Sequence, residues 1–370
     1  MSAVHVDATR NRARVQGGAT WKQFDRETQL YGLATTGGLV SSTGLGGFTL
    51  GGGIGHLVRK HGLTCDNLIS ADVVTADAQM VRAAADENPE LFWALRGGGG
   101  NFGVVTSLEL AVHDVGPTIL GGVIFYPGDQ AAQVVAGWRE AIAHAPDELT
   151  SMINLTAAPP LPFLPEAVHG KRVAVVIACY TGDIDSGEAA VASLRRLGDP
   201  IADVLAPMPY LALQQLVDPL WEAGAANYFT SVFLDDVPDT AVDTLVEAHG
   251  ASSLPPATCE LHIHHLGGAM GRVTMDATAF AHRQSPFLLN CIARTQDPAD
   301  LPPIADWAQR TRADMSRFGS GTYVNFTGES GAERIAYPPQ TFARLADVKR
   351  QYDPDNAFRF NQNISPNSED

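Results

Sequence analysis

The sequence is short of positive charge: 25 lysines and arginines face 41 aspartates and glutamates, a formal net charge of −16. Nucleic acid is therefore not an expected partner, because its recognition needs a basic face to neutralise phosphates, and a small or neutral ligand is. Cysteine is scarce too. Cys65, Cys179, Cys259 and Cys291 lie far apart with no Cys-x-x-Cys pair, which argues against a disulfide framework or a zinc knuckle and leaves buried free thiols. No apolar run is long enough to cross a bilayer, and Met1 to Arg10 carries no charged-then-apolar leader pattern. The expectation is a soluble, cytoplasmic protein without membrane contact. Also absent are G-x-x-x-x-G-K-[ST] and G-x-S-x-G, which removes a P-loop and argues against a hydrolase nucleophile elbow.

What the sequence has is glycine, and its placement is uneven. Seven of the twelve residues from Gly44 to Gly55 are glycine, against about one expected from an even spread of the 36 in the chain. A stretch of this composition is not built for helix or sheet stability. With 45% hydrophobic and 18% charged residues over 370 positions the chain is globular, long enough to bury about three quarters of its unfolded surface.

Periodicity divides the chain. Val4, Val6 and then Ala13, Val15 alternate as strands do, and Thr20 can cap a helix through Trp21, Phe24 and Leu30. Leu68 to Thr75 reads as a strand, with a turn at Asp77 and a second strand to Arg82. Asn88-Pro89 opens a helix that Gly97 ends, and a four-glycine run leads into a strand Val104 to Val112. Beyond Gly116-Pro117, apolar runs at 119–126, 152–156, 173–180, 229–234, 259–266 and 287–292 alternate with helical stretches at 130–144, 186–197, 210–217 and 240–249. That order predicts an antiparallel sheet backed by helices, a second α+β unit. A helix is expected over 304–318, a strand over Thr322 to Phe326 and a helix over 340–352.

Successive backbone N–H groups in glycine-rich loops form anion-binding concavities. Two such loops, Gly44 to Gly55 and Gly97 to Gly103, point to a phosphate-bearing cofactor; close packing and tight turns are glycine's other use. Gly98 to Gly103 fits G-x-G-x-x-G but follows a helix and precedes a strand, the reverse of the dinucleotide-binding order. On a strand, Glu260, His262 and His264 share one face, where they can ligate a metal or act as acid and base, although no third ligand group is evident. His282-Arg283 can equally be a solvated pair. Asn154-Leu155-Thr156 and Asn325-Phe326-Thr327 match glycosylation acceptors.

The runs Gly44 to Gly55, Arg59 to Asn67 (RKHGLTCDN) and Asp86 to Val105 (DENPELFWALRGGGGNFGVV) strongly resemble the FAD-binding domain of berberine-bridge-enzyme-like oxidases, within the vanillyl-alcohol-oxidase type of flavoprotein. Tyr323-Val324-Asn325-Phe326 and Tyr352-Asp353-Pro354-Asp355-Asn356 through Asn361-Gln362-Asn363-Ile364 resemble that family's C-terminal segment, so the likeness spans nearly the whole chain. The resemblance implies an α+β fold: a PCMH-type FAD-binding domain over 1–116, a substrate domain of antiparallel sheet plus helices over 117–320, and a segment over 321–370 returning to the first domain. It implies FAD, a small-molecule substrate, hydride transfer to the flavin and reoxidation by dioxygen. Ser41, Ser42, Thr43, Gly44, Gly46, Gly47, Gly51, Gly52, Gly53, Gly55 and His56 would wrap the isoalloxazine and pyrophosphate. Gly103 and Val105 would run along the cofactor, and Tyr323, Asn325, Asn361 and Asn363 would close the flavin side. His264 falls where relatives carry a polar group facing substrate.

Four departures sharpen the expectation. Relatives carry, ahead of the position matched by Met1, a loop that holds the pyrophosphate and supplies a histidine bonded to the flavin, which His5 does not replace. Val40 stands where some relatives bond the flavin a second time through cysteine, so bicovalent attachment is excluded, and with the histidine loop also missing FAD is expected to be non-covalent if this chain binds it at all. Phe326 stands where several use a tyrosine base, and Leu289 or Asn290 where others use glutamate. His264 and Tyr323 remain as catalytic candidates. A flavin domain without its first strands would expose an edge that invites homo-oligomerisation or instability; the chain is then a piece of a longer frame or a decayed copy. Two rival readings accompany the oxidase: a remnant that binds a ligand without catalysis, and a metal enzyme using His262 and His264.

Overall fold

The computed structural model describes residues 1–367 apart from 222, 254, 256, 329 and 330. A five-stranded antiparallel sheet runs in the order Val4–Asp7, Arg12–Gln16, Val104–Ala111, Leu68–Val74, Met80–Ala84. Arg12–Gln16 shows why it pairs as it does: Ala13 and Val15 are buried while Arg12 and Arg14 face out, the period of a one-sided sheet. Over its inner face lies helix Trp21–Thr28, which buries Trp21 and Phe24. That helix is shorter than expected. A single 3-10 turn, Gln29–Tyr31, follows it and leaves Leu30 73% exposed.

The second sheet matches the expected antiparallel, helix-backed unit. Its centre runs Thr118–Pro127, Arg172–Tyr180, Leu149–Ala157, Thr258–His265, Phe287–Thr295, Ala226–Leu234. Residues of one parity, such as Ile153, Leu155, Leu261, Ile263, Leu289 and Cys291, pack under helices Ala131–Ile142, Asp239–Gly250 and Leu301–Met315. The opposite parity presents Met152, Asn154, Ile177, His262, His264 and Asn290 to the glycine-rich segment.

Residues 336–364 belong to the first core, not the second. Ala336, Phe342, Leu345, Val348 and Ile364 are buried with Leu91, Trp93 and Phe102. The Lys349 ammonium, fully buried, donates to the Asn101 carbonyl at 2.8 Å, the Phe358 carbonyl at 2.8 Å and Asp353 at 2.6 Å. Asn101 in turn accepts from Ile364 N at 3.0 Å and donates to Gln362 O at 3.1 Å.

Three local expectations fail for physical reasons. The Gly44 to Gly55 stretch is not wholly irregular: Leu45–Leu50 forms a short helix, with Leu45 and Leu50 buried and Thr49 Oγ1 donating to Leu45 O at 2.8 Å. Thr322 to Phe326 is not a strand but leads into a 3-10 turn, Val324–Phe326, because Tyr323 and Asn325 turn toward the glycines instead of alternating across a sheet. Finally, His282-Arg283 is not solvated. Arg283 is buried and pairs with Asp66 at 2.6 Å, and His282 stacks on Phe233 at 4.4 Å. All four cysteines are buried and unbridged. Among the described residues no helix is long and apolar enough to cross a membrane, and no group of three potential ligands could hold a metal ion.

Candidate active site

A cavity of about 570 Å³ lies between the glycine-rich segment and the second sheet. One wall is the glycine-rich segment, through Gly38, Leu39, Val40, Ser42, Thr43, Phe48, Ile54 and His56. Asn325 and Phe326 close a side. The opposite wall is polar, and its polarity is organised across the sheet. Asn154, His262 and Asn290 occupy one register row on three adjacent strands, and Ser231 extends that row by one strand. They come from strands far apart in sequence; pairing brings them side by side. The carboxamide oxygens of Asn154 and Asn290 and Nε2 of His264 are buried without a protein partner. Glu260 and His262 are joined, Oε2 accepting from Nε2 at 2.7 Å. A roof comes from helix Tyr210–Gln214 and the residues after it, with Leu213, Leu216, Val217, Leu220 and Trp221 facing in.

Arg59 ties the glycine segment to this sheet. Its guanidinium is buried and donates to Leu149 O at 2.9 Å, Ala145 O at 3.0 Å and Leu266 O at 2.5 Å, and it meets His265 Nε2 at 2.9 Å. Sequence reasoning did not single it out, nor the roof: helix Tyr210–Gln214 is too short for its periodicity to indicate what it covers.

The residues expected to bind cofactor fall into three groups. Ser42, Thr43, His56 and Asn325 line the cavity, and exposed Gly44 and Gly47 adjoin it with nothing within 4 Å of a methyl group built on either. Gly46, Gly51, Gly52, Gly53 and Gly55 are packed instead. A methyl at Gly55 would overlap the Gly37 carbonyl, and Gly52 and Gly53 lie at φ +126° and +91°, where a side chain strains the backbone. Gly103 and Val105 sit at the start of the 104–111 strand against Val73, outside the cavity lining. Asn361 is exposed and Asn363 flanks the Asn101 clamp; neither lines the cavity. Ser41 is buried and engaged: its backbone N–H and its hydroxyl donate to the Asp218 carboxylate at 2.8 and 2.5 Å, which latches the roof to the glycine wall.

The two catalytic candidates differ. Tyr323 is fully buried, and its phenolic oxygen accepts from Gly53 N–H and from Asn325 Nδ2, both at 2.8 Å. Burial pushes its phenol well above the ordinary value, so it is a clamp on the glycine segment and a poor base. We expect Tyr323→Phe, which strips two buried donors of their acceptor, to cost about 1–3 kcal/mol in thermal or urea unfolding. A catalytic role would instead slow flavin bleaching without a change in melting. His264 lines the cavity 5.8 Å from the Phe326 ring; burial, with neighbouring His262 and His56, lowers its pKa to about 3. It is a neutral hydrogen-bonding group at any ordinary pH. Burial holds His56 down at about 4. Asn154, far from being a glycosylation acceptor, is 8% exposed.

The site fits FAD on its own observations. Gly44 and Gly47 leave the wall open beside Ser42 and Thr43, an apolar stretch of Leu39, Val40, Phe48 and Ile54 suits an aromatic ring, and the unpartnered polar atoms opposite offer hydrogen bonds. Residues 1–84 match the FAD binding domain family, and residues 322–365 match the berberine and berberine like family. The chain is 31% identical over 369 residues to an FAD-linked oxidoreductase of Dictyostelium discoideum, covering 99% of this chain and 78% of that protein. It is 29% identical to the (R)-6-hydroxynicotine oxidase of Paenarthrobacter nicotinovorans over 99% of this chain and 80% of that one. The crystal structure of 6-hydroxy-D-nicotine oxidase from Arthrobacter nicotinovorans superposes with a TM-score of 0.86 at 27% identity, over 99% of this chain and 81% of the other.

Proposed function

Because the chain belongs to the berberine-bridge type of FAD-linked oxidoreductases, we propose that it is an oxidase acting on a small, apolar-bodied molecule, with dioxygen as the final acceptor. FAD is its cofactor and a small organic molecule its substrate class. The observation that carries the oxidase reading is a cavity in which the glycine wall faces the Asn154, His262, Asn290 row. FAD, when bound, supplies an acceptor for the two electrons of a substrate C–H bond. The chain's own share is to hold, orient and desolvate. Ser42, Thr43, Phe48, His56 and Asn325 would hold the cofactor, while Leu216, Leu220 and Trp221 in the roof exclude water. Phe326 moves no proton, and the polar row orients the substrate.

Attachment of the flavin is read as non-covalent, since no cysteine lines the cavity among the described residues and Val40 takes part in its wall. Acid precipitation should leave the flavin in the supernatant; a coloured pellet would overturn this. The decisive experiment for the oxidase reading is the absorbance of the purified chain with and without added FAD. Expected are flavin bands retained through gel filtration, bleached by substrate under nitrogen and restored by air with one peroxide per substrate. A chain that stays colourless after incubation with FAD returns the ligand-binding remnant.

A further inference from the structure

We propose that His262, backed by Glu260, is the proton acceptor for a substrate O–H bond, and that the cavity therefore takes an uncharged hydroxyl compound with a flat apolar body. This inference rests on the reading of the cavity as the substrate chamber. The geometry is that of a base and its orienter. The Glu260 carboxylate accepts from His262 Nε2 at 2.7 Å, so Nε2 carries the hydrogen and Nδ1 the lone pair. Nδ1 has no hydrogen-bond partner among the described residues, and both side chains line the cavity, where 10% of His262 and 20% of Glu260 are exposed. Asn154 and Asn290 stand on either side of His262 in register, each with a buried carboxamide oxygen free to accept. Three acceptors in one row match a ligand that donates.

The alternative bases are weaker. Tyr323 is closed off by its two donors, burial disfavours the imidazolium that His264 would have to become, and Phe326 has no proton chemistry. The titratable and charged groups that line the cavity among the described residues are His56, Glu260, His262, His264 and Arg294. One carboxylate and one guanidinium cancel, which favours an uncharged ligand. Trp221 and Phe229, ring-stacked at 5.9 Å with 20° between planes, offer the flat body a face. In the step itself the O–H bond breaks, its electron pair stays on the substrate oxygen, and the proton forms a bond to Nδ1. Glu260 then faces an imidazolium, the charge pairing that makes the transfer favourable.

The test uses the full chain as purified and 4-nitrophenol, whose anion absorbs apart from its neutral form. Difference spectra across pH should show the bound probe ionising about one pH unit below the free probe. His262→Gln should bind it within a few-fold and abolish that shift, with His262→Asn as the second variant should the first fail to fold. Glu260→Gln should keep binding and lose most of the shift, because the residue acts through the imidazole. An unshifted probe on the wild type, a shift that survives in the His262 variant, or no binding at all would each overturn the proposal. A chain that ionises the probe yet never bleaches its flavin would sink the oxidase reading alone.

Discussion

Lys349→Met is expected to lower the unfolding free energy by about 3–5 kcal/mol, because it leaves Asp353 as an uncompensated charge in a dry site. Both side chains of the pair are fully buried. Asp353 also accepts from Ala357 N at 2.7 Å and Phe358 N at 2.9 Å, so its carboxylate fixes the turn after helix Pro339–Tyr352. Burial alone would raise its pKa, but the hydrogen bond from Lys349 and these two N–H groups outweigh burial and leave it below the ordinary value. The sign follows: an acid depressed in the folded state adds stability above its unfolded pKa, and that share is lost as pH falls through the folded one. Urea unfolding near neutral pH measures the loss; a change under about 1 kcal/mol would mean that water reaches the pair.

Asp25→Asn should have a large effect of the opposite sign. Asp25 is buried beneath the roof with Gln214 Nε2 at 3.1 Å as its partner, while its second oxygen has none. Burial raises its pKa to about 7 against the Gln214 bond, which lowers it. The folded chain thus holds this proton more tightly than the unfolded one. The contribution is fully present below the unfolded pKa near 4 and fades until pH passes about 7. Across the two units from about pH 5 to 7 that amounts to about 3 kcal/mol. Asparagine, always neutral, removes the slope: Asp25→Asn should melt markedly higher than wild type at about pH 8 and gain far less at about pH 5. Equal gains at both would show that Asp25 is not the titrating group. Since Gln214 ends the roof helix, amide protection over 210–221, after division by the intrinsic exchange rate at each pH, should fall with rising pH in wild type and stay level in Asp25→Asn.

How much of this was legible in the sequence depends on the range of the interaction that decides each feature. Strands such as Arg172–Tyr180 and Phe287–Thr295 were readable because a long apolar run suffices. The shared face of Glu260, His262 and His264 was also readable, being a matter of period two. Their alignment with Asn154 and Asn290 was not, since register is set by pairing between strands that are far apart in sequence. The glycines were recognised as special, but composition could not separate Gly44 and Gly47, which face open space, from Gly55, which touches Gly37. The resemblance places Ser41 at the cofactor, and nothing local announces its bond to Asp218, 177 residues away.

The debt of the first sheet's core to residues 336–364 also orders events during synthesis. Leu91, Trp93 and Phe102 leave the ribosome about 260–270 residues before Ile364 does, a gap of roughly 13–55 s at ordinary elongation rates. Through that interval the intervening sheet can complete its own helix-backed core while the earlier one waits with an unfilled side. The sheet of residues 4–111 is therefore finished after the one that follows it in the chain, and those residues are the ones left longest exposed to chaperones and proteases.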